Sequence, residues 1–124
     1  MKALLEPIKE IARFDELFRD LKKGTAGVTV ISGCLESQKA HMIAGLSEDV
    51  PVRLLIAENE LKAKELYEDY RLYDAETLYY PAKDLIFYQA DIHGNLLIRQ
   101  RLQVIQALLE RKEVCLLYTS DAAD

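Results

Sequence analysis

Four short runs with strand-forming composition, Val28–Ser32, Val52–Ala57, Thr77–Tyr80 and Val114–Tyr118, alternate with segments whose apolar residues recur at helical spacing. Alternation of this kind builds βαβ units, which impose parallel strands joined by right-handed crossovers. The expected architecture is therefore α/β, a parallel sheet of about four strands flanked by helices. Val28-Thr29-Val30-Ile31 is β-branched throughout, the composition of a buried strand. Helices are expected over Leu4–Lys23, with a break near Phe14, and over Ser37–Leu46, Glu60–Tyr73 and Asn95–Arg111. Asn59 is a natural N-cap for the third, because its side chain accepts a bond from an unpaired first-turn amide. From Pro81 to Asn95 the period is lost, which predicts a long loop.

At 124 residues the chain is one small domain or a piece of one, too short for a complete motor. Half of its residues are hydrophobic and 30% are charged, which predicts a packed core and not a disordered chain. No apolar run is long enough for a membrane span, and charges interrupt residues 1–14, so a soluble protein without a signal peptide is expected. Cys34 and Cys115 stand far apart and suggest neither a disulfide framework nor a zinc cluster, consistent with a cytoplasmic location. A net charge of −5 supplies no basic footprint for nucleic acid.

The layout strand, Gly33, then a helix containing Lys39 has the spacing of a phosphate-binding loop, but its residues are degenerate. Gln38 stands where a second glycine lets the backbone approach phosphate, and Ala40 where a hydroxyl ligates magnesium. Nothing in this stretch supports hydrolysis. Tyr67, Tyr70 and Tyr73 recur on one expected helix, with Tyr79 and Tyr80 following; they read as helix-to-sheet packing, since base stacking comes with a cationic groove. His41 has no companion at metal-ligand spacing, and neither does His93. Asp91 near His93 lacks a nucleophile to complete a triad. Arg99, Arg101, Arg111 and Lys112 bias the last helix toward positive charge, and Arg99 and Arg101 are candidate contacts for phosphate or for a partner's acids.

Taken in order, these parts resemble a known family. Val28–Leu46 followed by Leu54-Leu55-Ile56-Ala57 looks like the first two strands of a helicase-like domain with a decayed phosphate loop. Leu78-Tyr79-Tyr80-Pro81-Ala82-Lys83-Asp84, then Ile98-Arg99-Gln100-Arg101-Leu102 with Ile105 and Ala107-Leu108-Leu109, resemble the N-terminal region of the bacterial transcription-repair coupling factor. The related excinuclease B protein keeps its phosphate loop intact, so Gln38 and Ala40 favour the coupling factor. A nucleotide-binding P-loop enzyme such as the excinuclease B protein is the alternative, and a receiver-like or flavodoxin-like domain, hinted at only by Glu58, is a third reading. The resemblance implies a noncatalytic scaffold of residues 1–114 with no cofactor of its own. In the full-length protein it implies an ATP- and magnesium-dependent DNA translocase that displaces stalled RNA polymerase and recruits the excinuclease A protein for nucleotide excision repair. Residues 115–124 look like a read-through tail that completes the last strand, which would make the chain a fragment.

Overall fold

The structure, a computed structural model, describes residues 2–11, 13–24, 27–81, 91–110 and 114–119. The chain divides into two compact units, Met1–Asp49 and Val50–Asp124.

In the first unit, α1 (Lys2–Leu5) leads into a 3-10 turn (Pro7–Glu10), α2 (Phe14–Lys22) and α3 (Glu36–Leu46). Pro7 sits at the start of its turn, where its missing amide costs nothing. The break expected near Phe14 is real and has a backbone cause: Arg13 takes left-handed dihedrals with φ of 70°, which stops the preceding turn before α2 begins. Asp15 and Glu16 then open α2, with Arg19 and Lys22 in its last turn, an order that complements the helix dipole. The core of this unit is Leu5, Ile8, Phe14, Ala40, Ala44 and Gly45.

The second unit runs β1 (Val52–Ala57), α4 (Glu60–Tyr70), β2 (Leu78–Tyr80), α5 (Asp91–Leu109) and β3 (Val114–Thr119). Asn59 caps α4 as expected, its Oδ1 accepting from the Lys62 amide at 2.9 Å. β3 lies between the other two strands and pairs in parallel with both, Val52 opposite Val114 and Leu78 opposite Leu116. Ala57 and the fully buried Ala63 of α4 meet against Leu55, Leu66, Tyr67 and Tyr79.

The expected fold class, a parallel sheet of about four strands flanked by helices and organised around a helicase-like phosphate loop, is overturned. The described chain is mostly helical, and its few strand residues form only the short ladder of the second unit. Val28–Ser32 forms no strand, and Val28 and Val30 are 93% and 85% exposed where burial was expected. The reason is physical: β-branched side chains favour a strand only where neighbouring strands supply hydrogen bonds and a packing surface. Thr77 also leaves the third expected strand, donating its hydroxyl to the Asp74 carbonyl at 2.7 Å to close a turn. Asp91 and His93 belong to α5 and not to a loop. Residues 82–90 of the expected loop, together with Arg111 and Lys112, lie outside the described residues.

Gly45 shows how closely the first unit is packed. A Cβ placed there would lie 2.7 Å from Cγ2 of Ile8 and 3.2 Å from Cζ of Phe14.

Candidate functional site

The segment with phosphate-loop spacing lies wholly in the first unit. Gly33 does take a left-handed conformation, φ 79°, which few other residues adopt without strain. Leu35 is the N-cap of α3 and has no side-chain acceptor, so the helix start is closed from the other direction. Gln38 Oε1 accepts from the Leu35 amide at 3.1 Å, while the Gln38 amide donates to the Leu35 carbonyl at 2.9 Å. Lys39 Nζ pairs with Glu36 Oε1 at 2.8 Å, an exposed contact. Ala40 is buried at 1% exposure, so its position faces the helical core and offers no room for a metal ligand. His41 Nε2 lies 2.7 Å from the Leu4 carbonyl oxygen, tying α3 to α1.

A cleft in this unit has a volume of about 580 Å³ and includes Gly33 and Gln38. Its apolar lining includes Phe14, Leu17, Val30 and Ile31, and its charged lining is Arg13, Glu16 and Asp20. Glu16 is held by Arg13 Nε at 3.1 Å; the hydrogen bond and the guanidinium charge keep its carboxyl below the usual glutamate range. Two carboxylates, the Arg13 guanidinium that pairs with one of them, and a side-chain oxygen on the helix-start amide thus border this cleft.

In the second unit Tyr67, Tyr70, Tyr79 and Tyr80 make contacts within the unit. Tyr70 is fully buried, and the rings of Tyr67 and Tyr79 meet at 5.7 Å with a 48° tilt. Arg101, expected as a phosphate or partner contact, lies over the Tyr80 ring at 4.5 Å and donates from Nη2 to the Tyr80 hydroxyl at 2.7 Å. Arg99 is exposed on the same helix. Gly33, Gln38, Lys39 and Ala40 thus share one helix start, while Arg99 and Arg101 belong to the other unit.

Sequence reasoning missed Arg53. Its Nη2 donates to Asp74 Oδ2 at 2.9 Å and its Nη1 to the Tyr70 hydroxyl at 3.4 Å, in a largely buried pair that ties β1 to the turn after α4. The one signal that could have found it was a charge inside an otherwise apolar strand, Val52-Arg53-Leu54-Leu55-Ile56-Ala57. No group of three or more His, Cys, Asp or Glu side chains able to hold a metal occurs among the described residues, and no described helix is long and apolar enough to cross a membrane.

Tyr79 carries a prediction. Its hydroxyl is buried and has no hydrogen-bond partner among the described residues, and burial, followed by the Glu60 charge, raises its pKa above the ordinary tyrosine value. Tyr79→Phe is expected to stabilise the protein by about 1 kcal/mol at neutral pH, since an unsatisfied polar atom is removed without loss of volume. Because the folded pKa is raised, the neutral form's contribution is fully present below the unfolded pKa of about 10 and is lost as pH rises through the folded value. The advantage of the variant should therefore widen in alkali, as read by urea midpoints on either side of that range.

In comparisons with models of protein families, with curated proteins and with solved structures, no significant match to the chain was found.

Proposed function

We propose that this chain is a noncatalytic scaffold segment of a bacterial transcription-repair coupling factor, supporting recruitment of the excinuclease A protein within a cytoplasmic DNA translocase. The family follows from the motif resemblance around Leu78–Pro81 and Ile98–Leu109. One geometric observation supports the noncatalytic reading: the Gln38 side chain occupies the Leu35 amide at the start of α3. A phosphate loop works by presenting free backbone amides to its ligand. Here an oxygen already accepts from one of them, the magnesium position is a buried alanine, and the lysine rests on a glutamate. ATP, magnesium and contacts with DNA and RNA polymerase belong, on this reading, to other parts of the full-length protein.

Two measurements test the proposal. Titration calorimetry with magnesium-ATP is expected to show no micromolar binding to this chain, and micromolar binding would move the reading to a nucleotide-dependent enzyme. In the full-length protein, deleting this segment should impair recruitment of the excinuclease A protein while ATP hydrolysis persists. Loss of hydrolysis on deletion would refute the scaffold role.

A further inference from the structure

We propose that Val28–Ser32 is a proteolytic cleavage site, cut by an endopeptidase whose primary pocket takes a branched aliphatic side chain. An endopeptidase holds its substrate as an extended strand through main-chain hydrogen bonds, so a segment enters the active site only where its own peptide groups are unpaired and accessible. From Gly27 to Ser32 the backbone runs without turn, bend or helix, and none of Val28–Ser32 makes a hydrogen bond to another described residue. Every residue from Gly27 to Gly33 is exposed, Val28 at 93% and Val30 at 85%, although Thr29–Gly33 also border the first unit's cleft. The segment therefore needs no unfolding before it is bound.

The turn after α4 differs in this respect. There the Tyr73 and Asp74 amides donate to the Tyr70 carbonyl at 2.9 and 3.1 Å, and the Thr77 amide donates to the Asp74 carbonyl at 3.2 Å, so that loop must first open. Side chains fix the class of enzyme. Between Gly24 and Leu35 the chain has no lysine or arginine, which leaves no site for trypsin specificity, and no proline, whose missing amide would interrupt main-chain pairing. Val28, Val30 and Ile31 supply the branched side chains for an aliphatic pocket. Hydrolysis adds one water across one peptide C–N bond, leaving a carboxylate on one piece and an amine on the other. The cut separates α2 from α3 and leaves the second unit's chain continuous.

The experiment is limited digestion of the intact chain with an elastase of valine specificity, with fragments identified by mass spectrometry. A synthetic peptide of residues 24–35 serves as the fully accessible reference. Cleavage within Val28–Ser32 is expected at a rate within about tenfold of the free peptide's, as an opening free energy near zero requires. Urea too dilute to unfold the helices should leave the ratio of the two rates unchanged. Val30→Lys gives trypsin a site in a stretch where the parent has none, and trypsin should cut after position 30 within the same factor of the matching peptide. Val30 is exposed, and circular dichroism checks that the variant retains its helices. Slower cleavage than that by either enzyme overturns the proposal. A rate that climbs with urea relative to the peptide overturns it too, since the segment would then be cut only after unfolding.

Discussion

Arg53→Ala is expected to destabilise the second unit by about 2–3 kcal/mol, lowering its unfolding midpoint by about 10 °C. The Arg53 and Asp74 side chains are only 14% and 21% exposed, and they join β1 to a turn 21 residues farther along. Removing the guanidinium leaves the Asp74 carboxylate poorly solvated and without its partner, which costs more than the pair itself contributes. The Tyr70 hydroxyl loses a donor in the same step, on a residue that is fully buried. Residual exposure places the effect below that of a completely buried pair. Arg53→Lys should recover only part of the loss, because one ammonium replaces a planar fork that serves two acceptors. A double-mutant cycle with Asp74→Asn isolates the pair while keeping an acceptor for the Glu76 amide, which Asp74 Oδ1 receives at 3.0 Å. A coupling energy near zero would show that the pair is incidental.

Gly45→Val is expected to destabilise the first unit by about 2–4 kcal/mol, although glycine is an unfavourable helix residue. Propensity alone predicts the opposite sign, a gain of at most about 1 kcal/mol for Gly45→Ala at the next-to-last residue of α3. Packing decides otherwise. A Cβ at 2.7 Å from Ile8 and 3.2 Å from Phe14 must displace two buried side chains, each less than 5% exposed, and valine adds two more carbons to the same gap. Gly45→Ala should therefore be neutral to mildly destabilising and Gly45→Val clearly so. Ile8→Ala removes the nearest obstructing carbon, so Gly45→Val should cost less in that background than in the parent. Equal costs in both backgrounds, from urea titrations followed by circular dichroism, would place the strain elsewhere.

Local signals were readable where the cause is itself local. Asn59 caps α4, β1 occupies Val52–Ala57, and the helix break near Phe14 appears where Arg13 turns left-handed. The departures of Gln38 and Ala40 from phosphate-loop residues were legible as a list of substitutions, yet not as a geometry. That Gln38 folds back onto Leu35 depends on a side-chain rotamer, and rotamers are chosen by surroundings that a motif does not specify. Arg99 and Arg101 were equally plain as charges on one helix, whereas the placement of Arg101 over Tyr80 required two elements 21 residues apart to meet.

By itself the sequence determined helix periodicity, caps, and the absence of charge between Gly24 and Leu35, because each of these depends on residues within a turn or two of one another. Only the tertiary structure decided whether the strand-like runs became strands. Val52–Ala57 did, with β3 alongside to receive its hydrogen bonds; Val28–Ser32, the more β-branched of the two, did not. The difference lies in the partner, since a strand owes its stability to a neighbour that local composition does not encode. The same holds for the Arg53–Asp74 pair and the crowding at Gly45, where distant residues meet and the surroundings set the energy.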